Sequence, residues 1–131
     1  MLVLDTHVLV WWVSGAARLS ARARRELKAA TARAPAIVPA ISIFEVATAA
    51  RRGRLELSVP VDEWLADVQS LPEIRVQPLD AAIAALAASF GDEAPGDPAD
   101  RMIAATAVAL RATLLTADAR LRALPGLRSA W

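Results

Sequence analysis

Short apolar runs alternate with longer amphipathic stretches along the whole chain. Leu2-Val3-Leu4 is a continuous apolar run closed by Asp5, as in a strand buried on both faces, and Thr6 to Val13 reads as helix. Ser20 is an N-cap for a helix running to about Arg33, with Arg22, Arg25, Glu26 and Ala29 on its wet face and Leu27 opposite. Ala36 to Pro39 is a second strand, and Ser42 to Arg52 a helix ended by Gly53 in the C′ role. Trp64, Leu65, Val68 and Leu71 make an apolar stripe on a helix from Val61 to Leu71, and Ile74-Arg75-Val76 is a third strand. Asp80 caps a helix that turns Ile83, Leu86, Ala87 and Phe90 to the core. A polar loop, Gly91 to Gly96, leads to a helix opened by Asp97 as N-cap and Pro98 at its first position. Ala112 to Thr116 is a fourth strand, a further helix runs to about Leu124, and Leu127 to Trp131 adds a short edge strand. This alternation predicts a parallel sheet covered by helices on both faces.

The polar exceptions to the pattern are acids. Asp97 and Asp100 are three apart and share one helix face with Ile103, Ala104 and Ala107, so two carboxylates stand at the mouth of an otherwise apolar helix. An acid pair at a helix start also answers the macrodipole, so Asp97-Pro98-Ala99-Asp100 reads as well as an ordinary helix opening with Asp97 its cap. Asp5 and Asp118 each follow a strand, at the sheet edge where open α/β folds bind ligands, and Asp5 is also a natural N-cap. Glu45 lies within Ile41-Ser42-Ile43-Phe44-Glu45-Val46-Ala47, where a buried carboxylate needs a partner, a proton or a metal, unless it stands on an exposed edge paired with Arg52.

Charge and composition narrow the chemistry. The 131 residues suit a single domain, 1–131, and 56% are hydrophobic without an unbroken run of membrane-spanning length. An acid inside the first apolar run and no basic residues before it make a poor signal peptide, so a cytoplasmic location is expected. The absence of cysteine removes thiolate metal sites and Cys nucleophiles. Net charge is only +1, but all except one of the 15 basic residues are Arg, bunched at Arg22-Ala23-Arg24-Arg25 and Arg51-Arg52-Gly53-Arg54. The clusters permit phosphate contact, with Arg22, Arg25, Arg51, Arg52 and Arg54 as the candidates, while the helix dipole favours cations at 51–54 whatever the function.

Four acids, Asp5, Glu45, Asp100 and Asp118, can converge on the C-terminal edge of the sheet. At separations of about 5 Å each pair repels by roughly 3 kcal/mol at an effective dielectric of about 20. Summed over the pairs and even halved, this exceeds the stability of a typical domain. Such a cluster takes up protons or a hard cation, and oxygen-only ligands point to Mg²⁺ or Mn²⁺ rather than Zn²⁺.

Leu-Asp-Thr-His at 4–7, Ile-Phe-Glu-Val at 43–46, Asp-Pro-Ala-Asp-Arg-Met-Ile-Ala-Ala-Thr-Ala at 97–107 and Leu-Leu-Thr-Ala-Asp at 114–118 resemble the PIN domain, specifically VapC-type toxins of type II toxin–antitoxin pairs. The resemblance spans nearly the whole chain. It implies a three-layer α/β/α sandwich with a parallel sheet of four to five strands in the order 3-2-1-4-5. It also implies a Mg²⁺- or Mn²⁺-dependent ribonuclease, a cognate VapB-type antitoxin, a homodimer, and DNA only indirectly through the antitoxin. Carried over residue by residue, the catalytic acids are Asp5, Glu45, Asp100 and Asp118. Metal is held by Asp5, Asp100 and Asp118 with Asp97 as accessory, Glu45 ligates or orients the attacking water, and Thr6 and Thr116 support the site. In-line attack would leave a 5′-phosphate and a 3′-hydroxyl.

His7 is expected to be a packed or exposed residue rather than the base. Trp11 and Trp12 point about 100° apart on a helix, so both cannot face one core. Three other readings fit the sequence less well. A receiver-type phosphotransfer domain would want paired acids after the first strand and a nearby Lys, whereas the one Lys is Lys28 in a scaffold helix. A dehalogenase-type phosphatase would want Asp-x-Asp where this chain has Asp5-Thr6-His7. A catalytically silent PIN fold acting as a binding module conflicts with the intact acid set.

Overall fold

A computed structural model describes residues 1–15 and 17–131. Five strands, β1 (Leu2–Leu4), β2 (Ala36–Pro39), β3 (Ile74–Gln77), β4 (Thr113–Leu115) and β5 (Ser129–Ala130), form one parallel sheet in the order β3-β2-β1-β4-β5. Helices α1 (Thr6–Val13), α2 (Ala21–Thr31), α3 (Ala40–Arg51), α4 (Val61–Ser70), α5 (Ala81–Ser89), α6 (Pro98–Ala109) and α7 (Ala119–Arg122) complete it.

The period of two along the strands divides the core. Leu2 and Leu4 of β1 join Val38 and Leu115 against α1, α2 and α4, whereas Val3 joins Ile37 and Leu114 against α6 and α7. Both faces of the central strands are therefore dry, which is why those runs are apolar without alternation. In α6, Ile103 through Ala107 are all buried. Three of those five are Ala, and their small side chains let the helix lie close to the sheet on one side while Ala105 meets α5 through Ile83 and Ala87.

Caps expected from the sequence form. Ser20 accepts from the Ala23 N–H at 2.9 Å, Asp80 from Ile83 at 2.8 Å and Asp97 from Asp100 at 3.1 Å. Gly53, at φ +71°, ends α3 with its N–H on the Ala50 carbonyl and the Arg54 N–H on Ala49, the paired bonds of a Schellman turn. Some boundaries differ from the sequence reading. Helix α3 starts at Ala40, straight out of β2 and without a side-chain cap, so Ser42 lies within its first turn with its hydroxyl buried against Thr6. Leu71 follows the end of α4 in extended conformation and is exposed, and α7 stops at Arg122, leaving Leu124 to be buried from the following turn. Among the described residues, no helix is long and apolar enough to cross a membrane.

Candidate active site

Strand order brings the acids together. The chain leaves β1 toward β2 and β3 on one side and returns through β4 on the other, so the ends of β1 and β4 are adjacent at a topological switch point. Asp5 follows β1 and Asp118 lies three residues beyond β4. Helix α3 and the first turn of α6 close over that edge and contribute Glu45 and Asp100. Asp5, Glu45, Asp100 and Asp118 all line one open depression of about 350 Å³. Asp97 lines the adjoining groove of about 400 Å³, which shares Glu45 and Arg54 with the first.

Asp5 is 4% exposed and almost fully hydrogen-bonded. Its Oδ1 accepts from the Thr6 N–H at 2.7 Å, and its Oδ2 accepts from the Thr116 hydroxyl at 2.6 Å. The Thr116 oxygen in turn accepts from the Asp118 N–H at 3.0 Å, so one buried threonine ties the first acid to the backbone of the last. Asp118 caps α7, its Oδ1 accepting from the Arg120 N–H at 2.8 Å. Thr6 donates from Oγ1 to Glu45 Oε1 at 2.6 Å and lies 2.9 Å from Ser42 Oγ, joining α1 to α3. Glu45 is half-buried and its partner is Thr6; no ion pair with Arg52 forms among the described residues.

The electrostatics follow from this crowding. Asp100 is pushed up from 3.8 to about 7, first by burial and then by Asp97, Asp5, Glu45 and Asp118. Burial also raises Glu45, with the Thr6 hydrogen bond opposing it and Asp5 and Asp97 adding to it. Glu45, Asp97 and Asp100 each bring one carboxylate oxygen within 4.8 Å of the others. An all-oxygen set that gathers negative charge and holds a proton against it suits a hard divalent cation, so the residues fit Mg²⁺ or Mn²⁺. Asp97 thus acts as a helix cap and still stands beside two site acids.

Several residues that shape the site have no signal in the sequence pattern. The His7 Nε2 accepts from the Ala117 N–H at 3.0 Å, which assigns the proton of the neutral ring to Nδ1, 3.6 Å from Asp5 Oδ2. His7 therefore holds the β4–α7 turn and is not free to act as a base. Arg101 donates to the carbonyls of Pro95 (2.7 Å), Phe90 (2.7 Å), Gly91 (3.1 Å) and Ala87 (3.3 Å), and Arg120 to Ala94 (2.9 Å). Together they fasten the loop that delivers Asp97 and Asp100.

The five arginines divide. Arg54 lines the acidic depression, carried there by the Schellman turn. Arg51 is paired with Asp62 at 2.8 Å and Arg22 with Glu26 at 3.8 Å, while Arg25 and Arg52 are exposed.

Comparison with known proteins gives a consistent picture. The profile of the PIN domain family matches residues 2–127. Ribonuclease VapC22 of Mycobacterium tuberculosis is 41% identical over 121 residues, covering 92% of this chain and 88% of that protein. Two solved structures share the fold at low identity. The VapBC2 complex of Rickettsia felis bound to a promoter DNA fragment matches with a TM-score of 0.72 at 16% identity, covering 98% of this chain and 96% of the other. DNA-bound VapBC of Salmonella typhimurium matches with a TM-score of 0.71 at 20% identity and the same coverages of 98% and 96%.

Proposed function

The chain belongs to the PIN domain family, and from that premise we propose that residues 1–131 are a single PIN domain acting as a Mg²⁺- or Mn²⁺-dependent endoribonuclease, the toxin of a VapBC-type pair. The observation that carries the reading is the convergence of Asp5, Glu45, Asp100 and Asp118 on one depression, with Asp100 pushed up to about 7 by burial first and by the neighbouring acids second. The ribonuclease name of the 41% identical relative supports the substrate class. An inert binding module has no use for a charge cluster of this cost.

Asp5, Asp100 and Asp118, with Asp97 as accessory, would hold the cation. When bound, it supplies an acidified water and screens the phosphate charge. The protein's own groups do the rest. Thr116 fixes both the Asp5 carboxylate and the Asp118 backbone, so the two ligands keep their spacing. Thr6 orients Glu45, whose raised pKa suits it to take the proton of the attacking water. Water adds to phosphorus in line, the bond from phosphorus to O3′ breaks, and the leaving oxygen takes a proton, giving a 3′-hydroxyl and a 5′-phosphate. Arg54 is the candidate cation for the RNA backbone at the site, and Arg22, Arg25, Arg51 and Arg52 lie farther along the surface as secondary candidates.

The partner assignments belong to the same proposal. The VapBC complexes among the solved relatives, two of them DNA-bound, support a VapB-type antitoxin as partner, with DNA contacted only through it; a homodimer and a cytoplasmic location complete the proposal. The test is cleavage of a total-RNA pool with Mg²⁺, Mn²⁺ or EDTA, comparing the wild type with Asp5→Asn and Asp100→Asn. Cleavage that requires metal and falls at least about a hundredfold in both variants is expected. Cleavage that survives both substitutions, or folded wild-type protein that cuts no RNA with either metal, would overturn the assignment.

A further inference from the structure

The adjacent tryptophans of α1 go to different places. Trp12 lines a separate groove of about 740 Å³ with Trp64, on the far side of α1 from the acids. Trp11 lines the acidic depression itself, beside Asp5, Glu45 and Asp100. The depression is thus acid on one side and apolar on the other, with Val10, Trp11 and Leu55 forming the apolar wall and Arg54 on the rim.

Trp11 is half-buried and its ring is held on two sides. His7 packs at 4.9 Å between centroids and Trp131 at 5.8 Å, both tilted at 54°, and His7 is itself pinned by the Ala117 N–H. A tryptophan fixed in this way loses little freedom when a flat ligand meets it. Arg18 stands over the same ring at 5.8 Å from its guanidinium carbon to the centroid. That side chain is exposed, so its contact is weak and yields readily to a competing ring.

A phosphodiester seated at the carboxylates must place its ribose and base within a few ångströms, and among the described residues lining that depression Trp11 offers the largest flat surface. We infer that Trp11, buttressed by His7 and Trp131 and flanked by Arg18, is a stacking subsite for an unpaired nucleobase adjacent to the scissile phosphate. The inference rests on the ribonuclease reading and deepens it. A base engaged on Trp11 cannot remain in a duplex, so the subsite takes a base that stands outside any helix. Stacking tolerates all four bases, so this subsite selects unpaired structure rather than sequence.

The test uses the full chain with Ca²⁺ in place of Mg²⁺, so that the carboxylates carry a hard cation. The probe is a short fluorescein-labelled oligouridylate, with a second version carrying one 5-iodouridine for photocrosslinking. Trp11→Leu, which keeps apolar packing but has no π face, is expected to weaken binding about tenfold or more, and Trp11→Phe to remain within about threefold of wild type. Trp12→Leu, in the other groove, is expected to leave affinity unchanged. Irradiation of the wild type is expected to crosslink Trp11, which tests the subsite even where a variant folds poorly. Wild-type affinity in Trp11→Leu, or crosslinks confined to Trp12 or Trp64, would overturn the subsite and leave the ribonuclease reading standing. Wild-type protein that binds neither oligonucleotide would remove both.

Discussion

At the scale of single residues, the site is a set of acids whose charges are managed by short hydrogen bonds. Thr6 and Thr116 each give their hydroxyl to a site carboxylate at 2.6 Å. The acids themselves are legible in the sequence, because a carboxylate after a buried strand or inside an apolar helix is out of place. Of their supports, Thr6 and Thr116 come only with the family resemblance, and Ser42 and His7 carry no sequence signal, since they act through contacts with residues far away in the chain. Asp100 gives the clearest consequence. Its carboxyl ionises near 3.8 when unfolded and near 7 when folded, so between those values the folded, metal-free protein holds a proton that the unfolded chain has released. The contribution of Asp100 to stability in EDTA is therefore fully present below the unfolded value and is lost as pH rises through about 7. Asp100→Asn should remove much of that loss, and thermal unfolding across this range checks it. A variant with the same pH dependence as wild type would show that the proton resides elsewhere.

At the scale of elements, placement depends on helix ends. Asp97 caps α6 and Pro98 occupies its first turn, as the sequence indicates, and this aims Asp100 at the sheet edge. What holds the preceding loop is Arg101, whose guanidinium reaches four main-chain carbonyls. No spacing rule reveals this, because carbonyls carry no side-chain signature. Arg101→Ala is expected to cost about 1–2 kcal/mol of stability, the loss of charge-assisted hydrogen bonds partly replaced by water. Urea unfolding measures the cost, and faster amide exchange across residues 91–95 should accompany it. Unchanged stability and exchange would mean that Arg120, on Ala94, suffices alone. The start of α3 is blurred in the sequence for a related reason: Ala40 and Ile41 continue the apolar run of β2, and no side-chain cap marks where the helix begins.

At the scale of the molecule, apolar runs and helical stretches indicate a parallel sheet with both faces covered. They do not encode strand order, which came from the family resemblance and is seen in β3-β2-β1-β4-β5. That order is what makes a site of separate acids, because it sets the ends of β1 and β4 side by side while α3 and α6 close over them. On the proposed reading the charge gathered there would be met by a divalent cation, and water would be the nucleophile. The chemical identity of the cut ends tests this chain of reasoning most directly. Cleavage by the wild type with Mg²⁺ or Mn²⁺ should leave 5′-phosphate and 3′-hydroxyl ends and stop in EDTA. Products with 5′-hydroxyl and 2′,3′-cyclic phosphate ends, still formed in EDTA, would mean attack by the ribose hydroxyl and would contradict the account.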